Sequence, residues 1–424
     1  MKLTPYWLDT SEPFYQGRTA PLEGHYDVAV VGGGITGSSA ALALAKKGAR
    51  VAVLEATTIG NAASGRNGGM CNNGFAQDYG SMVGKFGKDR ANALYKAFDS
   101  GVDLVERLVR EEDIDCNFAR VGKLKLAAKP EHYDKLARSQ ALLSEVADPD
   151  TRMIPKSDLQ AEVGTERYHG GLLYPKSAQM HVGRYVRGLA RAAARHGAEI
   201  HEQAPVTGLR KLDGGHAVET PKGRITARQV LLASGISQVG PLGWIRRRIV
   251  PVGAFLIVTE PLSPEQIARL MPTGRNVVDT RNLVVYWRLT PDNRMLFGGR
   301  ARFAGSNPQS DEKSGRILKS TMADVYPELA NTRVDYCWGG LVDMTRDRLP
   351  RAGERDGIFY SMGYSGHGTH MATLMGHVMA DVMDGHPELN PWKDFDWPAI
   401  PGYFGRPWFL PILGAYYRMK DLLT

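Results

Sequence analysis

Cysteine is scarce in this 424-residue chain: Cys71, Cys116 and Cys337 are all there is, and none sits in a C-x-x-C pair. That excludes a disulfide framework and a cysteine-built zinc site, and no metal is expected. A charged-then-apolar leader is missing as well, so the expectation is a cytoplasmic protein. No apolar run is long enough for a bilayer-spanning helix, which argues against a transmembrane segment. The nearest approach, Trp408 to Tyr417, is too short and runs into Arg418 and Lys420. It reads as a docked helix, with interfacial membrane contact the lesser alternative. Concentrated charge is lacking too. The chain carries 53 Lys and Arg against 45 Asp and Glu, a net charge of +8, yet its densest basic run is only Arg246-Arg247-Arg248. Without aromatic residues interleaved among the bases, nucleic acid is not an expected partner. Internal repeats and low-complexity segments are also absent.

What is present is the composition of a folded globular protein, 43% hydrophobic and 23% charged, too long for one simple core. A Pro-rich arm with Tyr6, Trp7, Phe14 and Tyr15 comes first, then an apolar run from Asp27 to Val31, expected to be a strand buried in a parallel sheet. Glycines, a helix through Lys47 and a second strand from Arg50 to Leu54 complete a βαβ unit. Apolar spacing predicts helices over 91–112 and 131–146. A third, over 181–196, sets Val182, Val186, Leu189 and Ala193 on one face and Arg184, Arg187, Arg191 and Arg195 on the other. Between Arg248 and Arg302 the period changes to that of strands, and a buried-strand run returns at Ile358. The expected fold is α/β: a discontinuous Rossmann-like domain (1–86, 170–242 and 336–390) with an inserted mixed-sheet substrate domain (87–169 and 243–335) and a docked tail (391–424).

Three glycine-rich stretches carry chemistry. The first, Gly32-Gly33-Gly34-Ile35-Thr36-Gly37, fits G-x-G-x-x-G between a strand and a helix. Gly32 permits the turn, Gly34 lets the backbone approach a pyrophosphate, and Gly37 lets the helix lie close to the strand. The helix N-terminus offers free N–H groups and a partial positive charge to that anion. Glu55, followed by Ala56, ends the next strand, where a ribose hydroxyl partner belongs. The second stretch, Ser64-Gly65-Arg66-Asn67-Gly68-Gly69 and Met70, sets a fixed cation among glycines. It suits a flavin pyrophosphate or ring edge, although an ordinary loop is the alternative. The third runs from Ile358 into Gly363, Ser365, Gly366, His367, Gly368 and Thr369 before another helix. His367 reads equally as a flavin neighbour or a turn residue. Val230 to Gly235, with Ala233 and Gly235 at its end, is a further strand closing in a small-residue turn. Two strand–glycine–helix turns in one domain fit a long dinucleotide such as FAD, approached from both ends.

These motifs, in this order, resemble the D-amino-acid-oxidase superfamily that includes glycine and sarcosine oxidases, and within it the γ-glutamylputrescine oxidase-like branch. The resemblance rests on Tyr6-Trp7, Ser64 to Gly69, Tyr286 to Thr290 with Leu296-Phe297-Gly298-Gly299, Ser365 to Gly368, and Gly414-Ala415-Tyr416-Tyr417, and it spans nearly the whole chain. It implies an FAD enzyme that removes hydride from a carbon beside an amine, leaving an imine for water to hydrolyse, with O2 or another acceptor reoxidising the flavin. It also implies that Gly32, Gly34 and Gly37 cradle the pyrophosphate and that Glu55 meets the ribose. Ser64, Arg66, Asn67, Gly68 and Gly69 would line the pyrophosphate and ring, Val206 would offer a backbone contact to adenine, and Gly363, Gly366, Gly368 and Thr369 would close over the ring edge.

Two departures matter. Some relatives bind flavin covalently through a cysteine near the stretch that here reads Leu341-Val342-Asp343-Met344; that stretch has none, Cys337 comes too early, and the Ser64 to Gly69 loop holds no histidine. Non-covalent FAD is expected. In the glycine-oxidase type, a Trp–small–Gly–Leu run precedes an arginine that grips the substrate carboxylate; here Trp338-Gly339-Gly340-Leu341 precedes Val342. Tyr286 and Arg288, sharing a strand face by the period of two, are pocket candidates with Val342 and His367, though ordinary sheet-surface positions would look the same. No acid–base pair stands out, so no catalytic residue is named. A small amine of the γ-glutamylputrescine kind is the expected substrate. An amino or imino acid held by Arg288, Arg300 or Arg302 stays open, as does a flavoprotein that acts on a macromolecule or keeps FAD as a structural element. A nicotinamide dehydrogenase would leave the second and third glycine stretches unexplained.

Overall fold

The protein is described by a computed structural model covering residues 1–14, 21–235, 243–300 and 307–423. Tyr15 of the arm and Arg302 lie outside the described residues. The Val51–Leu54 strand is buried at every position and His25–Val31 nearly so, which is possible only inside a sheet covered on both faces. These two pair in parallel, and the parallel set extends through Gly223–Leu232 to Ile358–Met362 on one side and to Glu199–His201 on the other. Parallel strands finish at one edge of a sheet. The turns beginning at Gly32, Glu55, Ala233 and Gly363 are therefore gathered along a single line, where ligands of such sheets bind.

Helices Ile35–Lys46 and Gly368–Met383 leave two of those turns and pack against each other. Gly376 makes this possible: a Cβ there would stand 2.7 Å from both the Thr36 carbonyl oxygen and the Ser39 Cβ. Ser39 Oγ donates across the contact to the Thr373 carbonyl at 2.7 Å.

A second, mixed sheet is ordered Val334–Met344, Val250–Pro261, Arg294–Gly299, Val285–Leu289, Asn276–Asp279, Lys123–Leu126, Gly171–Tyr174 and Arg152–Ile154. Alternate residues Phe255, Ile257, Val285, Trp287, Phe297 and Cys337 build a core on its outer face. The period of two then turns Lys123, Lys125, Tyr286, Arg288, Leu296, Gly298, Trp338, Gly340 and Val342 toward the first domain. Leu296 and Trp338 accordingly join the larger core.

The expected domain boundaries need correction. Strands Gly171–Tyr174 and Val334–Met344 pair in the second sheet, and helix Lys88–Glu111 packs on Gly368–Met383 in the first domain. A short apolar run does not reveal which of two sheets it will join, and an amphipathic helix does not reveal which domain receives its apolar face.

The Val182–Arg195 helix also departs from its reading. Arg184, Arg191 and Arg195 reach solvent or the surface, but Arg187 is buried, with its guanidinium donating to the Leu8 and Ser11 carbonyls and to Ser11 Oγ. Helix Leu410–Leu423 is docked through Leu410, which packs with Tyr403, Val250 and Val252, and through Asp421. The Asp421 carboxylate accepts from the backbone of Asn282 and Leu283 and from Asn282 Nδ2. Trp408, Ile412, Tyr416 and Met419 face outward. Among the described residues no helix is long and apolar enough to cross a membrane.

Arg187 is thus the clamp of the N-terminal arm. Arg187→Met strands its carbonyl acceptors and is expected to lower the unfolding free energy by about 1–3 kcal/mol. Urea denaturation should show an earlier midpoint at unchanged slope; an unchanged midpoint would refute the clamp.

Candidate active site

Gly34 is the N-cap of its helix and brings no side chain to the cap. The first intrahelical bond is Ser38 N–H to the Gly34 carbonyl at 2.9 Å, so the preceding N–H groups are aimed out of the helix end. Ser64 Oγ accepts from Ile35 N–H at 2.9 Å, and a Cβ on Gly34 would stand 2.7 Å from that same oxygen. Gly32 turns the chain with φ +109, a region closed to most side chains. Gly37 sits so tightly that a Cβ would lie 1.9 Å from the Gly32 carbonyl oxygen. The Glu55 carboxylate reaches back into this turn, accepting from Gly33 N–H at 2.8 Å and from the Thr57 N–H and hydroxyl. Ala204 N–H bonds the Glu55 carbonyl at 2.8 Å, which brings Val206 to the same end of the sheet, although its side chain is buried in a separate core cluster. Ala56 is half-buried directly after Glu55.

The second motif wraps over the first. Asn67 folds its loop by donating to the Ala63 and Ser64 carbonyls and accepting from Gly69 N–H. Arg66 donates to the Asn61 carbonyl at 2.7 Å and to the Gly339 carbonyl at 3.0 Å, while Trp338 Nε1 donates to the Arg66 carbonyl at 2.9 Å. The loop is thereby fastened to the second sheet. Gly65 is packed against Gly60, and Met70 pairs with Gln179 just beyond the loop.

The third motif joins both. The Tyr364 hydroxyl hydrogen-bonds Thr36 Oγ1 at 2.9 Å, and Thr369 Oγ1 donates to Asn67 Oδ1 at 3.4 Å. Asp343 pins the turn, accepting from Gly363 N–H at 2.6 Å. Burial pushes its carboxyl up to about 6 despite the turn's N–H groups. His367 is half-exposed, yet burial, helped by neighbouring cations, depresses its pKa to about 3, so the ring is neutral at physiological pH. Among the described residues no heavy atom outside the immediate chain neighbours comes closer than 3.8 Å to a Cβ position at Gly235, Gly366 or Gly368. Ser234 Oγ is buried at this edge without a hydrogen-bond partner. A cradle too tight for side chains at one end, open space at the other and an orphaned hydroxyl between them fit a dinucleotide bearing a planar ring.

The second sheet closes the site. The Tyr286 ring lies over Gly298, where a Cβ would stand 2.6 Å from it, and against Gly68, where a Cβ would stand 3.1 Å away. Val342 is half-buried on the face that carries Gly340, which packs on Arg66. Arg288 departs from its reading as a pocket group. It is 1% exposed, donating to the Gly68 carbonyl at 2.8 Å and the Met180 carbonyl at 2.6 Å, with the guanidinium 4.9 Å from the Trp7 ring centroid. Burial lowers its pKa to about 9, still charged at neutral pH. It braces the Gly68-Gly69 backbone from beneath. Asp343, Tyr364 and Trp7, whose Nε1 donates to the Asn67 carbonyl at 2.7 Å, went unassigned in the motif reading. Their signal was adjacency to the motifs. Among the described residues no cluster of His, Cys, Asp and Glu could hold a metal. The three cysteines are free and buried, with burial raising each thiol pKa.

Comparison with known proteins agrees with this geometry. The profile of the DAO family, described as FAD dependent oxidoreductase, matches residues 27–382. The chain is 32% identical over 404 residues to the "Probable oxidoreductase OrdL" of Haemophilus influenzae, covering 94% of this chain and 92% of that protein. It is 32% identical over 405 residues to the gamma-glutamylputrescine oxidoreductase of Escherichia coli, covering 94% and 93%. Among solved structures, glycine oxidase from Geobacillus kaustophilus superposes with a TM-score of 0.71 at 24% identity, covering 90% of this chain and 99% of that one.

Gly34→Val drives a side chain into Ser64 Oγ and screens the helix N-terminus. The variant is expected to fold, with an unchanged far-ultraviolet spectrum, and to purify without flavin colour. Full flavin occupancy would show that the phosphate site lies elsewhere.

Proposed function

Because the chain belongs to the DAO family of FAD-dependent oxidoreductases, we propose that its substrate is a small amine of the γ-glutamylputrescine kind and that its FAD is held non-covalently. The amine is oxidised at its C–N bond to an imine, and water then releases an aldehyde and ammonia, or an amine where the oxidised nitrogen is secondary. When bound, FAD supplies the two-electron acceptor for the hydride leaving the carbon, and O2 or another acceptor takes those electrons on. The helix N-terminus at Gly34 to Thr36 binds the pyrophosphate and Glu55 the ribose. The Ser64 to Gly69 loop and the Gly363 to Thr369 turn position the ring, and Tyr286 forms a wall of the amine pocket.

Val342 carries the substrate reading. A bidentate arginine is the strong, geometrically fixed contact for a carboxylate, and a valine on the flavin-facing side of Val334–Met344 cannot supply it. A carboxylate on the reacting carbon left unpaired there would lose on the order of a hundredfold or more in specificity. The pocket side chains position and desolvate the amine; the neutral His367 has no imidazolium proton to give at physiological pH. The relative that bears the gamma-glutamylputrescine name, matched over 93% of its length, supports the same substrate class.

Anaerobic flavin reduction by γ-glutamylputrescine, putrescine, glycine, sarcosine and pipecolate tests the reading. The first is expected to give the highest specificity constant, and glycine or sarcosine ranking first would overturn the argument from Val342. Acid precipitation should send all yellow colour to the supernatant, whereas colour held in the pellet would mean a covalent link.

A further inference from the structure

On the flavin-facing side of the second sheet, Arg294–Gly299 runs on into Arg300. Register pairs Gly298 with Tyr286, and Arg300 N–H bonds the Val284 carbonyl. Even-numbered residues here face the first domain, so Arg300 lies two residues beyond the point where Tyr286 covers Gly298. That is roughly 7 Å along the strand, away from the flavin loop. Arg300 is half-exposed, yet burial lowers its pKa to about 10.

Arg348, on the loop between Val334–Met344 and Arg351–Arg355, lies near enough for its charge to act on Arg300. This loop is tied to the His367 turn, because Thr345 N–H bonds Ser365 Oγ at 3.1 Å and Thr345 Oγ1 donates to the Leu349 carbonyl at 2.9 Å. The two guanidinium charges repel each other, and both act on His367. Neither has a hydrogen-bond or ion-pair partner for its side chain among the described residues. Every other deeply buried arginine of the site is engaged: Arg66 and Arg288 by carbonyls, Arg351 by Asp347. Two like charges near enough to repel, neither held by an acid among the described residues, offer an anion a place.

We propose that Arg300 and Arg348 form an anion-binding subsite at the far end of the amine pocket, and that the substrate carries a carboxylate several bonds from the nitrogen whose C–N bond is oxidised. This rests on the amine-oxidation reading above and deepens it. Val342 denies a carboxylate its place beside the reacting carbon, while the arginine pair receives one further along. The substrate class is then an amine bearing a carboxylate remote from the oxidised nitrogen, not a simple alkylamine and not an α-amino acid.

The test joins a binding measurement with a kinetic one on the flavin-loaded protein. Glutarate, an anion without an amine, should bind in calorimetry and inhibit γ-glutamylputrescine turnover competitively. Arg300→Gln and Arg348→Gln should each weaken glutarate binding at least tenfold at unchanged flavin content and melting temperature, with Arg300→Lys restoring part of it. In kinetics, each glutamine variant should cut the preference for γ-glutamylputrescine over hexylamine by about a hundredfold, mostly through KM. Equal glutarate binding in wild type and both variants, or an unchanged substrate preference, would overturn the subsite. Should no amine reduce the flavin, the amine reading fails on that ground alone, and glutarate binding still decides the anion site.

Discussion

The Ile35–Lys46 helix rests its main chain directly on the strand that precedes it, and the rest of the site follows from that contact. At Gly37 a Cβ would fall 1.9 Å from the Gly32 carbonyl oxygen, and at Gly376 one would fall 2.7 Å from the Thr36 carbonyl oxygen. Close-packed interiors leave no slack for a methyl group at such points. With both glycines in place, two helices converge on the same edge of the parallel sheet, and their turns come near enough to bond. Ser64 reaches Ile35, Tyr364 reaches Thr36, and Thr369 reaches Asn67. Three motifs far apart in the chain become one surface.

Buried guanidinium groups do much of the remaining fastening, through carbonyls more than through carboxylates. Arg66 ties the glycine loop to Gly339, Arg288 holds Gly68 and Met180, and Arg187 holds the arm at Leu8 and Ser11. A planar donor with five N–H groups can bridge two backbone segments and stay charged when desolvated, which a lysine does poorly. Arg288 also lies over the Trp7 ring, so the arm, the glycine loop and the second sheet meet at one cation. Against this pattern the lack of a side-chain partner for Arg300 and Arg348 among the described residues has meaning. A fold that ties its other buried arginines to carbonyls or, at Arg351, to Asp347 leaves these two for an anion.

The strand–glycine–helix unit at residues 25–55 was legible because all of its determinants are local: a run of buried strand residues, glycines at fixed offsets and an acid at the next strand's end. Strands and helices elsewhere could likewise be read from period alone. What could not be read was partnership. Arg187 sits on the basic face of its helix by spacing, yet the N-terminal arm folds over that position and buries it. Arg288 shares a strand face with Tyr286 as expected, but its side chain turns under the loop instead of into the pocket, because two carbonyls lie within its reach. Strands Gly171–Tyr174 and Val334–Met344 joined the sheet that the chain's order did not suggest. Each difference arises from contacts between segments more than a hundred residues apart, or from a sheet assembled out of sequence order, and hydrophobic period carries no information about those.

The account's central claim is spatial: one dinucleotide lies along the edge of the parallel sheet, with its pyrophosphate on the Gly34 helix and its ring between the Gly363 to Thr369 turn and Tyr286. A crystal structure of the protein with FAD and glutarate measures this directly. The account predicts phosphate oxygens within hydrogen-bond distance of the N–H groups at Gly34 to Thr36, the ring edge against Gly366 to Thr369, and the glutarate carboxylate on Arg300 and Arg348. A ring lying outside the space bounded by Tyr286 and His367, or a pyrophosphate on any other helix, would contradict it.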